Sequence, residues 1–308
     1  MVATNRIFGF GSAAVDFRIT TAEYGPEYRD KLLARETRPM GGGSVANCLA
    51  QVARLGGDAI WLGKLGTDWI GDRITRDLQS EGVGTDFVIR DADSCSPFNV
   101  AVYAEKRRVG GFLLPNSLST LSGDEIQLLA DEVALNDFVI VEIGEIPLDL
   151  TAAFCNAVRD RGARVVVDVD LDPIRQCVGP TDAVEQILRL ADLLVPNAAA
   201  MVSILPGKTP VELVKSVVET YERTTVVTAG ADGVYWCEPN GCVRHCAAIP
   251  VAIVDTVGAG DAFHGGMVFG LATGMTLSEA IRLGVRCGAA ACTAFGARTG
   301  MLQQSDLR

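Results

Sequence analysis

The segment IVDTVGAGDAFHGG, residues 253–266, sets four glycines around the carboxylate of Asp261. Glycine weakens strands and helices alike, so such a cluster belongs to a tight turn or to a place where a ligand touches the main chain. Upstream, AAIPVAIVDT is apolar and reads as a strand; downstream, DAFHGGMVFGLATG has the pattern of an amphipathic helix. VGAG is then a strand-to-helix corner. There the N–H groups of Gly258, Ala259 and Gly260 turn toward one point and add to the unpaired donors of the helix's first turn. Asp261 stands at the mouth of this anion hole, favoured by the helix dipole. A helix cap in a tight turn explains the aspartate and one glycine. It does not explain why a second glycine and a small alanine keep every nearby β-carbon away. An anion hole beside a carboxylate suits phosphoryl transfer: the amides neutralise the moving group while the carboxylate takes the acceptor hydroxyl's proton. A loose transition state releases that proton late, so position counts for more than basicity.

The elements that must hold this corner alternate along the chain. Apolar, β-branched runs at 6–11, 59–66, 138–144, 164–170, 192–197 and 224–230 are separated by helical patterns at 44–56, 69–82, 122–134, 148–161, 181–190, 197–204 and 209–222. Two further helices are expected at 260–273 and 277–294. Continuous apolar strands divided by helices mean a parallel sheet covered on both faces. Residues 12–40 and 95–116 break the alternation with strand-like pieces, among them FNVAVYAE and VGGFLLP about a polar turn at Lys106–Arg108. Such a hairpin should project from the main sheet as a small lid over a site at the strands' carboxyl ends.

Composition narrows the partners. The chain has 308 residues, 48% hydrophobic and 21% charged, as in an ordinary globular protein. A net charge of −11 argues against nucleic acid and anionic membrane, though not against small phosphates, which backbone amides bind unaided. Nine cysteines, an odd number, behind an amino terminus without the pattern of a signal peptide lead to the expectation of reduced thiols in the cytoplasm. No run of about 18 uncharged apolar residues is present to span a membrane.

Three motifs are decoys. GFGSAA (9–14) fits a dinucleotide fingerprint, but the residues after it lack the helical periodicity that fingerprint requires. ILPGKTP (204–210) holds Gly-Lys-Thr without the earlier glycine or the strand of a P-loop, and reads as a turn. Cys237, Cys242, His245 and Cys246 match no common zinc-finger spacing and read as a β-hairpin turning at Pro239–Gly241.

DTVGAGD (255–261) and GGSVANCLAQVARLGG (42–57), some 200 residues apart and in this order, resemble the two signatures of the ribokinase-like (PfkB) carbohydrate kinases. GTDWIGD (66–72), VPN (195–197) and TAGADG (228–233) are also in step with that family. The resemblance implies one domain over 1–308, a three-layer α/β/α sandwich with a mostly parallel central sheet and a small β-sheet lid. It implies Asp261 as general base, with the amides of Gly258, Ala259 and Gly260 as anion hole. Asp16 would hold sugar hydroxyls, Gly42, Gly43 and Asn47 would form the substrate-side loop, and Glu145 would be a further substrate-side acid. Asn197, Thr228, Gly230 and Gly233 would line the phosphates of ATP, accompanied by Mg2+. A K+ ion would sit near the anion hole, against the Asp255 carbonyl and the 291–300 loop. A homodimer formed through the lid also follows from the family.

Three departures stand out. Ala200 replaces the glutamate of the family's N-x-x-E, which helps organise magnesium; LLPNSLSTLS replaces a Gly-Ala-Asn before the helix near 122; and His264 stands one turn after Asp261. His264 reads equally as a site residue or as a core histidine. The acceptor is expected to be a neutral polyhydroxylated compound, met by Asp16, Asn47 and Glu145, with Arg107 and Arg108 solvated at the lid turn. Ribose, fructose, a keto-deoxy acid and an adenosine-type nucleoside all stay open. So does a catalytically weak sugar- or nucleotide-binding homologue, because of Ala200. A nicotinamide-dependent dehydrogenase is disfavoured by the missing helix after GFGSAA.

Overall fold

The computed structural model describes residues 5–22, 33–104 and 107–307. Residues 23–32 of the first expected lid segment, and Lys106 of the expected turn, lie outside the described residues.

In chain order the strands are β1 (Ile7–Phe10), β2 (Ala14–Thr21), β3 (Glu36–Gly42), β4 (Ala59–Leu62), β5 (Lys64–Gly66), β6 (Ile89–Asp91) and β7 (Phe98–Ala104). They continue with β8 (Arg107–Leu114), β9 (Phe138–Ile143), β10 (Arg164–Val169), β11 (Leu193–Pro196), β12 (Thr224–Thr228), β13 (Val234–Cys237) and β14 (Arg244–Cys246). The helices are α1 (Ser44–Arg54), α2 (Trp69–Ser80), α3 (Gly123–Asp131), α4 (Leu148–Asp160), α5 (Thr181–Leu190), α6 (Pro210–Tyr221), α7 (Ala259–Ala272) and α8 (Leu277–Ala291).

The central sheet has eight strands in the order β14-β13-β12-β11-β10-β9-β1-β4. It is parallel from β4 to β12 and ends in the antiparallel hairpin of β13 and β14. Strands β1, β4, β9 and β11 are buried along their whole length, as continuous apolar runs between helical layers require. The hairpin turns where Pro239–Gly241 was expected, joining the strands that carry Cys237 and Cys246. A second sheet, β3-β2-β7-β8, gathers the strand-like pieces of the two irregular regions, and its β2 follows GFGSAA as a strand where a dinucleotide fold would need a helix.

Three sequence expectations are corrected. The run 59–66 divides at Gly63, because a β-carbon there would enter the Trp61 ring; β5 pairs with β6 instead of continuing in the main sheet. The 197–204 segment is not a helix but a 3-10 turn over Ala200–Ser203, started by Asn197 Oδ1 accepting from Ala199 N and stopped before Pro206-Gly207. The apolar run before Asp255 forms no strand. Val254 N and Asp255 N both donate to Cys292 O just past α8, and Ile253 and Val254 are exposed, so this stretch is held by a helix end instead of a sheet neighbour.

Helix α7 lies between α1 and α8, and its glycines set the approach. A β-carbon on Gly265 would strike the Cys48 carbonyl of α1, and one on Gly266 would strike the Cys287 sulfur of α8. The main chains of α1 and α7 thus touch directly, which fixes the side chains they carry toward the carboxyl ends of the strands.

Candidate active site

Helix α7 starts at Gly258, whose left-handed backbone (φ 79°, ψ 0°) suits glycine and leaves no room for a side chain: a β-carbon would stand 2.5 Å from Ala297 O. Gly260 is different. It is exposed, and a β-carbon there would meet nothing in the protein. Asp261 follows in the first turn, with Ala259 as the opening helical residue. Gly43 (φ 91°) caps α1 with its backbone pressed against Ser12 and Ala13, and one turn on Asn47 is buried.

Asn47 joins the two glycine motifs. Its Nδ2 donates to Asp261 Oδ2 at 2.7 Å, while its Oδ1 accepts from Arg298 Nε, also at 2.7 Å. Arg298 Nη2 donates in turn to Gly42 O at 3.4 Å. The amide expected to face a polyol is therefore engaged on both sides, orienting the Asp261 carboxylate.

These groups line a cavity of about 440 Å³ between the carboxyl ends of the central strands and the small sheet. Asp16 on β2 accepts from Asn99 Nδ2 on β7 at 2.9 Å, and its carboxylate fills the space a β-carbon on Gly42 would need. Glu142 accepts from Ser12 N and Ser12 Oγ, both at 2.8 Å; Asp170 Oδ2 accepts from Ser44 Oγ at 3.2 Å. Glu145 completes the acidic wall, with its Oε2 buried and lacking a hydrogen-bond partner among the described residues.

Withdrawal from water and mutual repulsion make these carboxyls hold their protons more tightly than free ones. Burial first, then the charge of Asp170, pushes Glu142 to about 7; burial, then Glu142, Asp16 and Asp170, pushes Glu145 to about 8. Burial and the charge of Asp168 raise Asp170. Asp261 is raised well above an ordinary aspartate by burial and by Asp170, against the opposing hydrogen bond from Asn47. His264, one turn along α7, is buried with Nδ1 2.8 Å from Asp168 Oδ2. Burial lowers its pKa, but the nearby Asp168, with the charges of Asp261 and Asp170, outweighs that and raises it. His264 thus stands behind the cavity as the buried neighbour of Asp168, on the same helix as Asp261.

Of the residues singled out from the sequence, Asp16, Gly43, Asn47, Glu145, Asn197, Asp255, Gly258, Gly260 and Asp261 line this one cavity. Asn197 meets Thr228 through an isolated parallel bridge. Thr228, Gly230 and Gly233 are not in its lining; Gly233 (φ 88°) is bare because the backbone of Cys246 and Ala247 lies against it. Asp255 ties two loops with its side chain: Oδ1 accepts from Val257 N at 3.2 Å and Oδ2 from Gly296 N at 3.1 Å. Ala200 is 5% exposed, packs in the apolar core and is not among the residues lining this cavity. Sequence reasoning missed Arg298, Glu142, Asp168 and Asp170. Glu142 and Asp168 carried a signal, since an acid inside an apolar strand such as FVIVEI or RVVVDV must be buried or bound.

Comparison with known proteins supplies the context. The pattern of pfkB family carbohydrate kinases matches residues 4–304. The chain is 30% identical over 278 residues to a fructokinase of Klebsiella pneumoniae, covering 87% of this chain and 90% of that one. Its fold superposes on the ribokinase of Thermotoga maritima with a TM-score of 0.85 at 21% identity, covering 98% of each. It also superposes on an aminoimidazole riboside kinase of Salmonella enterica, solved with aminoimidazole riboside and an ATP analogue, with a TM-score of 0.78 at 26% identity and 98% of each chain covered. Since the match runs nearly from end to end and the ribokinase-like fold is shared throughout, the chain belongs to the pfkB family of carbohydrate kinases and is an enzyme of that class.

Proposed function

We propose that the chain transfers the γ-phosphoryl group of ATP to a hydroxyl of a small sugar or sugar-like polyol. Asp261 takes the hydroxyl proton, and the amides of Gly258, Ala259 and Gly260 receive the charge of the moving group, that of Ala259 on release from its long 3.3 Å bond to Thr256 O. Gly260 carries this reading. It lines the cavity, and a β-carbon there would meet nothing in the protein, so a ligand can reach the main chain at this point. Asp16, supported by Asn99, and Glu145 hold acceptor hydroxyls; the bare Gly42 lets the Asp16 carboxylate pack against that side. Arg298 and Asn47 act behind the base by orienting it. A raised pKa makes the Asp261 carboxylate a better proton acceptor than a free aspartate.

Asn197 is the nucleotide-side group that reaches the cavity, and Thr228, bridged to it, continues toward Gly230 and Gly233. Among the described residues no group of three or more acids, cysteines or histidines converges to hold a metal. A Mg2+ ion would be carried on triphosphate oxygens and water, where it would screen phosphate charge. For K+, the Asp255 carboxylate fixes the 255 and 296 backbones to each other, which suits a site formed by carbonyls of these two loops.

The decisive test is Asp261→Asn. ADP release with ATP, Mg2+ and a panel of sugars and nucleosides should fall by about 10³-fold or more while nucleotide binding persists; near-normal turnover would remove Asp261 as base. A chain that binds sugar but forms no ADP would be the silent homologue.

We read the whole chain as one cytoplasmic kinase domain with the small sheet as lid. Among the described residues no helix is long and apolar enough to cross a membrane. Phe112 and Leu113 are exposed on β8, the lid's edge strand, and would pair with a second copy. A monomeric mass in sedimentation would exclude that dimer.

A further inference from the structure

Asp16 and Arg18 are two residues apart on β2 and so share one face of the strand, and both line the cavity. The Arg18 guanidinium carbon lies 3.7 Å from the centre of the Tyr103 ring and 4.1 Å from that of Phe295. One ring belongs to the small sheet and the other to the loop after α8, so the flat faces of the cation are covered and its orientation is set. Among the described residues no carboxylate or carbonyl takes a hydrogen bond from it. Its N–H edge is left to meet what enters the cavity.

The sheet register adds a second observation. Arg18 stands opposite the small Ala101 on β7, which leaves it space, and opposite Arg38 on β3. Like charges directly opposite disfavour a sheet, yet among the described residues only Arg38 has an acid of its own, Glu36. An aligned guanidinium with an unspent edge matches a planar anion in two parallel hydrogen bonds.

We infer that Arg18 recognises an anionic group on the acceptor, so that the substrate is a polyhydroxy carboxylic acid and not a neutral sugar. The inference rests on the reading of this cavity as the acceptor site. A carboxylate fits better than a phosphate ester, because Asp16, Asp170 and Asp261 share the cavity with one guanidinium, which offsets a single negative charge more readily than two. The acid group anchors one end of the molecule, Asp16 takes hydroxyls beside it, and the far hydroxyl is offered to Asp261.

Three acceptors that differ only at C1 test this: D-fructose, 2-keto-D-gluconate and D-fructose 1-phosphate, with D-ribose and D-ribonate as a second pair. ADP release gives kcat/KM for each in the parent protein and in Arg18→Gln, with the melting temperature as control for folding. The acids should lead their neutral counterparts by about 10- to 100-fold, the worth of hydrogen bonds to a charged group, and Arg18→Gln should collapse that ratio. Arg18→Lys keeps the charge without the flat fork and should fall between; it replaces the glutamine variant if that one misfolds. A ratio near one, or one untouched by the substitution, overturns the inference. So does a higher KM for ATP with an unchanged ratio, which would give the guanidinium to the nucleotide. A preference for the phosphate ester that Arg18→Gln erases keeps the anion and overturns the carboxylate. Silence with all five acceptors counts against the transfer reaction itself, and this inference falls with it.

Discussion

Replacing Asn47 by leucine, nearly its equal in shape, removes the 2.7 Å hydrogen bond on the Asp261 carboxylate and leaves the backbone of α1 intact. That bond opposes the burial and the Asp170 charge that push Asp261 upward. A hydrogen bond to a charged group contributes about 1.5–3 kcal/mol, and one acidity unit corresponds to about 1.4 kcal/mol. Asp261 should therefore rise by about 1–2 units more. The donor favours the anion, so its loss means that a higher pH is needed to free the base. The rising limb of kcat against pH should move to the alkaline side by that amount. At a pH on the parent's limb, turnover should drop about 10- to 100-fold and recover as pH is raised. The assay is ADP release at saturating substrates across the limb and plateau, with melting curves to confirm folding. A uniform loss, with a pH profile of unchanged shape, would refute the argument and make Asn47 a substrate contact.

Two other outcomes follow from the same geometry. Glu145, pushed to about 8, binds its proton more tightly folded than unfolded, so the stability it affects is lost as pH rises from about 4.5 toward 8. Glu145→Gln should gain on the parent by about 1–3 kcal/mol between pH 5 and pH 8 in denaturant melts; an equal change at both pH values would show that burial of the carboxyl is not the cause. The two glycines of the α7 corner should separate. Gly258→Ala should destabilise the fold by about 1–3 kcal/mol, because of its positive φ and the Ala297 backbone. Gly260→Ala should melt no earlier than the parent yet lose at least about tenfold in kcat/KM, since alanine is welcome in a helix. Full activity in Gly260→Ala would remove the ligand from that corner.

Much of this arrangement is legible from residue types alone. The two glycine motifs locate both halves of the cavity because a bare, positively twisted backbone is a local property, written in the chain at Gly43 and Gly258. The layered sheet is legible for the same reason, in runs such as RVVVDV. Arg298 is not legible, because its partners, Asn47 and Gly42, are chosen across the fold and no spacing announces them. Arg18 hides within an ordinary strand, and its setting depends on Phe295 from the far end of the chain. AAIPVAIVDT reads as a strand because residues such as Ile253 and Val254 are apolar. Apolar content sets no pairing partner, and here the backbone found the end of α8 first.

The bare flank of Gly265 reaches beyond packing. Asn47 precedes Cys48 by one residue and Asp261 precedes Gly265 by one turn, so the separation between amide and carboxylate is inherited from main chain resting on main chain. A single methyl group wedged there would spread the reacting pair without touching either member. Inactivating changes in this enzyme can therefore arise where no substrate ever reaches, one helical turn beneath the floor of the cavity.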